Sequence, residues 1–295
     1  MTKKIITSSI NKRSKPLKAA ILSLLLIGLG ETYTGSPFIG ASLLLLRSFI
    51  LLSAAFYSYL NPHVNAKYAV IISLLLTIFV SFISPAIAYI KAREIKVLKW
   101  YNSYIFYLSF AAISLITTFT AAVIYFSFFY FYKADIDHPP LIAKGDILLI
   151  QKNCPLYTYG DLILIPSEPY AIIGRIIGLP GETVEYSSGR FIVNESHLHL
   201  SVFSEEDLKN FSLTDYDIYA EKNSNIYYPV IKNSNFKLNK TKCSPQEYFL
   251  APDNRNLSNF FIKATEDKFY GKILATVYSI RGFVLFKNFS ITEKD

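Results

Sequence analysis

Charge is what this sequence has least of. Asp, Glu, Lys and Arg make up 18% of the 295 residues while hydrophobic residues make up 52%, which excludes an ordinary soluble two-domain protein and points to a membrane. Acid is scarcest at the front: residues 1–132 hold only Glu31 and Glu94 against 12 Lys and Arg, whereas residues 133–295 hold 20 acids against 18 bases. The net charge of +8 therefore belongs to loops that flank membrane segments, and the composition gives no reason for a nucleic-acid partner. Histidine and cysteine are also few, with four and two residues. His197 and His199 in "SHLHL" alternate along a strand and share a face, but two ligands fall short of a zinc site. His63 and His138 are not at ligand spacing, so the expectation is a solvent-facing strand with no metal and no cofactor. The chain has no internal repeat and no low-complexity tract beyond its apolar segments.

What is present divides the chain near residue 133. Upstream, three segments at about residues 38–60, 68–90 and 104–132 are apolar over the roughly 20 residues that a hydrocarbon core requires. A fourth, residues 17–30, is short, contains Lys18 and runs into the polar, Gly-punctuated "ETYTGSP". Lys- and Arg-rich short loops stay in the cytoplasm. The N-terminus (Lys3, Lys4, Lys12, Arg13, Lys15, Lys18) and the connection "KAREIKVLKW" (Lys91, Arg93, Lys96, Lys99) are both of that kind. Both are cytoplasmic only if an even number of spans separates them, so segment 17–30 is expected to be re-entrant or interfacial. A cleaved signal peptide is the rival reading, but no small-x-small site follows its core. The last span then exits outward through the aromatic belt "YFSFFYFY", residues 125–132, and the following domain is expected on the extracytoplasmic side.

Residues 133–295 read as an all-β domain, because short β-branched and aromatic runs are broken by Gly, Pro, Asn and Asp. In "GRIIGLPGETVEYSSGRFIVN", Arg175 to Ile177 reads as a strand, and Pro180 with Gly181 suits the central positions of a type II turn. Thr183 to Tyr186 reads as the next strand, and "SSGR" turns the chain into "FIVN", giving an antiparallel meander. Cys154 and Cys243 both lie in this domain, where a disulfide is chemically permitted. Spacing leaves a bridge and two free thiols equally open.

The stretch around Arg175, Gly178, Pro180 and Gly181 closely resembles the box of bacterial signal peptidase I that runs Lys-Arg-Val-Ile-Gly-Leu-Pro-Gly-Asp. "PQEYFLAPDNRNLSN", with Asp253, Asn254, Arg255 and Ser258, resembles that family's later Gly-Asp-Asn-Arg box. "DHPPLIAKGDILLI", with Pro140, Gly145 and Asp146, looks like a worn form of Ser-Met-x-Pro-Thr-Leu followed by Gly-Asp. Three boxes in order behind a membrane anchor are specific where one alone is weak. The resemblance covers roughly residues 125–285 and leaves the N-terminal membrane region unexplained. It implies a multi-span helical membrane region followed by a mainly β extracytoplasmic domain, in a bacterial cytoplasmic membrane. The partners it implies are the membrane, signal peptides of exported preproteins and the export machinery.

The family's chemistry uses a serine nucleophile and a lysine base that burial keeps neutral. Matched without gaps, the nucleophile position falls on Asp137, and with a one-residue shift on Ile136; no serine lies between Ser127 and Ser167. The base position, just before the box arginine, falls on Gly174. The later box also loses its following Asp-Ser-Arg, where this chain has Phe260, Phe261 and Ile262. The aromatic-Gly pair beyond it corresponds to Tyr270 and Gly271. Lys144, beside Gly145 and Asp146, lies in a polar loop where a lysine keeps its proton. Asp135, Asp137 and Asp253 show none of the symmetry of a carboxylate pair sharing one proton. Three readings follow: a catalytically lapsed relative that binds or assembles, an active peptidase with a displaced or replaced dyad, and a membrane structural protein in which the β domain is only a relic.

Overall fold

The computed structural model describes residues 11–12, 14–60, 66–94, 96–97, 103–202, 218–279 and 291–292. The basic residues Lys3, Lys4, Arg13 and Lys99 fall outside them. The chain forms two compact units that divide at Ser127 and Phe128.

The first unit is helical: α1 (Pro16–Leu25), α2 (Leu29–Tyr33), α3 (Pro37–Leu60), α4 (Ala66–Lys91) and α5 (Tyr104–Phe128). The last three are long and apolar enough to cross a membrane. Their outward side chains fit lipid contact, since Phe49, Phe82 and Phe119 are about 70% exposed on helices with almost no charge. Segment 17–30 is not one helix. Pro16 opens α1 at a position where its missing N–H costs nothing, and the helix stops before Gly28, which sits in left-handed backbone at φ 88°. The chain doubles back so tightly that a Cβ on Gly30 would collide with the Ala19 carbonyl and Ser23 Oγ. Serines inside the long helices turn inward on their own turns, as Ser48 Oγ does on Leu44 O and Ser58 Oγ on Ala54 O.

The second unit is built of antiparallel strands: β1 (Phe129–Lys133), β2 (Ile147–Gln151), β3 (Leu162–Ile165), β4 (Ile172–Gly178), β5 (Thr183–Ser187), β6 (Arg190–Val193), β7 (Ser196–His197), β8 (His199–Val202), β9 (Ile218–Asn223), β10 (Ile226–Ile231), β11 (Leu238–Lys242), β12 (Glu247–Ala251), β13 (Ile262–Thr265) and β14 (Gly271–Tyr278). A seven-stranded sheet runs β13-β12-β4-β3-β14-β2-β1, a second runs β11-β5-β6-β7, and a third joins β8-β9-β10 to Ile291–Thr292. Strand β4 reads as a buried run because it is central and covered on both faces.

Two expectations change, and one alternative left open is decided. The span expected over 104–132 ends as helix at Phe128, and the aromatic residues 129–133 pair with β2 as an edge strand. Pro180 and Gly181 do form a turn, closed by Glu182 N–H on Leu179 O with Gly181 at φ 84°. That turn, however, carries the chain from one sheet to another: β4 pairs with β3 and β12, while β5 pairs with β6 and β11. Finally, Cys154 and Cys243 are unbridged. Each is buried in its own apolar cluster, Cys154 with Tyr157 and Ile163 and Cys243 with Val184 and Phe191.

Candidate functional site

Two of the three boxes meet at a buried guanidinium. Arg175, fully buried on β4, donates from Nε and a terminal nitrogen to the two carboxylate oxygens of Asp253 at 2.7 and 2.6 Å, and from its other terminal nitrogen to Gly160 O at 2.6 Å. This two-bond fork suits a planar guanidinium and no lysine. Its face lies 4.3 Å from the Tyr228 ring. Arg255 forms a second node, donating to Glu221 at 2.6 Å and to Pro252 O at 2.5 Å. Tyr228 Oη also donates to Glu221, at 2.9 Å. Burial and the Glu221 charge hold the Tyr228 hydroxyl well above the ordinary tyrosine range.

Asp253 and Arg255 thus each sit in a buried ion pair, with Arg175 and with Glu221. Asn254 bridges to Ile231 through backbone pairing and its side chain accepts from Asn256 N–H. Ser258 opens a short 3-10 turn. Sequence reasoning missed Glu221, Tyr228 and Gly160, which carry no motif and reach this network only through folding.

Around the nucleophile position, the loop between β1 and β2 closes on its own carboxylates. Asp137 is exposed and accepts from Lys144 N–H at 2.9 Å. Asp146 is buried and accepts from Ala143 N–H and from Ser279 Oγ, both at 2.9 Å. Lys144 is exposed, as its polar loop suggested, and Asp135 takes a hydrogen bond from the Tyr132 hydroxyl.

The base position is different in kind. Gly174 pairs with Ile163 in mid-sheet, and a Cβ placed there would lie 3.0 Å from Leu250 Cβ. A lysine side chain has no room to leave the backbone unless Leu250 gives way. Gly178 is also filled from outside, since a Cβ there would meet Val184 Cγ2 at 2.5 Å. Phe261, in place of the family's polar residue, packs between Tyr186, Phe191 and Phe236, with ring centroids 5.2–5.6 Å apart. Gly271 is closely packed, because a Cβ there would strike the Gln151 carbonyl.

One further residue enters the site. His138 lines a small cavity with Pro139, Ile142, Leu162, Ile173, Pro252, Asp253 and Leu257. Its Nδ1 is buried without a hydrogen-bond partner. Burial lowers its pKa to about 4 against the opposing pull of the Asp253 and Asp137 charges. At neutral pH the imidazole is uncharged. His197 and His199, by contrast, are exposed on β7 and β8, which belong to different sheets. Among the described residues no group of three His, Cys, Asp or Glu side chains is placed to hold a metal.

The sequence pattern of the signal peptidase family, peptidase S26, matches residues 106–259 of this chain. Among solved structures, a signal peptidase I from Enterococcus faecalis is 23% identical; the match covers 40% of this chain and 96% of that one, with a TM-score of 0.25. No curated protein matches.

Proposed function

This chain belongs to the signal peptidase S26 family, and from that premise we propose that its β domain is a catalytically lapsed member that holds signal-peptide segments of exported preproteins. The observation that carries the reading is Gly174. The position of the family's base is a packed glycine against Leu250, so its proton chemistry has been replaced by core packing. Asp137 supports the same reading from the nucleophile side, because its carboxylate closes a loop. Peptide holding needs no nucleophile: β13 is the last strand of its sheet among the described residues, and strand addition works through backbone hydrogen bonds. The basic flanks of the spans favour an extracytoplasmic position for the domain, on a bacterial cytoplasmic membrane. Export machinery is then the natural partner class.

The test is cleavage and photo-crosslinking of a preprotein by the purified, membrane-reconstituted chain. The comparison is a variant carrying Asp137→Ser, Gly174→Lys and Leu250→Gly, the last removing the Cβ that a side chain at 174 would meet. The expected result is crosslinking to the signal peptide without cleavage in the natural chain, and cleavage gained in the variant. Cleavage by the natural chain sinks the lapsed reading.

His138 favours one second reading, an active peptidase with a replaced base. An uncharged imidazole with an unpartnered nitrogen sits in a cavity walled by Ile173 and Asp253, next to both family positions. Under that reading cleavage is present and His138→Ala abolishes it while crosslinking persists.

A further inference from the structure

The helical unit, which the family's chemistry leaves without a role, contains a polar centre of its own. Glu31 on α2 is completely buried. Its Oε2 accepts from Ser23 Oγ of α1 at 2.6 Å and its Oε1 from Ser84 Oγ of α4 at 2.8 Å. Both serines are themselves fully buried. Those two hydroxyls are its side-chain partners, and none of them carries charge. Among the described residues the buried carboxylates Asp253, Glu221 and Asp161 are each paired with a cation, Arg175, Arg255 and Lys272, while Asp146 in the β domain accepts from Ala143 N–H and Ser279 Oγ. A carboxylate withdrawn from water without a counter-charge is strongly disfavoured, and more so inside a membrane.

The surroundings are oxygen-rich and rigid. The break between α1 and α2 turns backbone carbonyls toward neighbouring segments. Gly28 O takes both the N–H and the hydroxyl of Thr32, Ile27 O takes Ser114 Oγ of α5 at 3.4 Å, and Ala19 O lies hard against Gly30. Gly28 and Gly40 approach so closely that a Cβ on either would strike the other's carbonyl, which pins the break to α3. Each serine hydroxyl keeps lone pairs after donating its proton to Glu31. The groups that converge on the Glu31 carboxylate, the Ser23 and Ser84 hydroxyls, are hard oxygen donors.

We propose that Glu31, Ser23 and Ser84 form an intramembrane binding site for a small alkali cation, with Na⁺ as the first candidate. Two hydroxyl oxygens joined to a single carboxylate match the charge and hardness of such an ion and not those of a transition metal. The bound ion supplies the counter-charge that the site lacks and ties α1, α2 and α4 together.

The experiment is thermal unfolding of the full-length chain in detergent at fixed ionic strength and pH, in NaCl, KCl and choline chloride. The natural chain is expected to melt higher in NaCl than in choline chloride, by about 4 °C at saturation. Glu31→Gln keeps acceptor and donor atoms for the serines and is expected to lose the difference. If Glu31→Gln does not fold, Ser84→Ala takes its place, and the NaCl midpoint should be reached only at several-fold higher concentration. Equal melting of the natural chain in all three salts overturns the proposal, as does a salt difference that survives both substitutions. A gain in stability on acidification alone, with no cation dependence, also overturns it, because a proton would then be the neutralising partner.

Discussion

The buried arginine framework of the β domain and the exposed loop at Asp137 come from boxes of the same family, yet the chain treats them in opposite ways. Arg175 and Asp253 are held by two short bonds, with side chains 1% and 6% exposed, and every atom of that fork is used. Asp137 stands in solvent and closes a loop with one backbone contact. The comparison teaches that what folds the domain and what performs its chemistry are separable. The first is enforced by desolvation, which makes any loss expensive. On the proposed reading, the second rested on two side chains, and the positions they would take hold a loop contact at 137 and a glycine packed on Leu250 at 174.

The sharpest way to break this comparison is to cut the framework. Arg175→Met leaves the Asp253 carboxylate buried without its partner, and the expected loss is about 3–5 kcal/mol. Urea unfolding of the natural and substituted chains, followed by circular dichroism, measures it. The double replacement Arg175→Met/Asp253→Leu removes both charges and should recover most of that loss. A single substitution that costs under about 1 kcal/mol would mean that water reaches the site and that the pair is ornamental.

A somewhat smaller effect is expected from pH. His138 titrates near 4 in the folded domain and near 6.5 when unfolded. The unfolded chain therefore takes up the proton first. The contribution is fully present above about pH 6.5 and is lost as pH falls toward 4, by about 3 kcal/mol at most. His138→Gln should flatten that part of the stability profile. An unchanged slope between pH 6.5 and 4 would show that Nδ1 is not buried as described, and would remove the observation behind the second functional reading.

The legibility of the sequence follows the same division. The three spans were readable because lipid demands long apolar runs, and the Pro180–Gly181 turn because few residue pairs satisfy its backbone. The boxes around Arg175 and Asp253 were readable by resemblance. Glu221 and Tyr228 were not, since a buried acid 24 residues before its nearest box looks like any surface glutamate until sheets bring it to Arg255. Segment 17–30 was readable as too short to span, but its break at Gly28 was not, and the approach of Gly30 to Ala19 O is a property of the folded hairpin. Phe129 to Lys133 was misassigned for a physical reason. An aromatic run suits a membrane interface and an edge strand equally, and only the pairing with β2 decides.

The smallest effect tests the comparison inside a single loop, where Asp146 and Asp137 lie nine residues apart. Asp146 is 1% exposed and closes the loop from within, on Ala143 N–H and Ser279 Oγ. Removing its carboxylate strands buried donors, so Asp146→Ala is expected to cost about 1–3 kcal/mol. Asp137→Ala releases the Lys144 N–H in an exposed stretch, where water replaces the lost acceptor, and the expected cost is below about 1 kcal/mol. Signal-peptide crosslinking should be unchanged in Asp137→Ala, because the carboxylate takes no part in holding an extended backbone. If Asp137→Ala instead leaves stability intact and abolishes a measurable cleavage, the carboxylate is reacting with substrate, and position 137 belongs to the chemistry of the site.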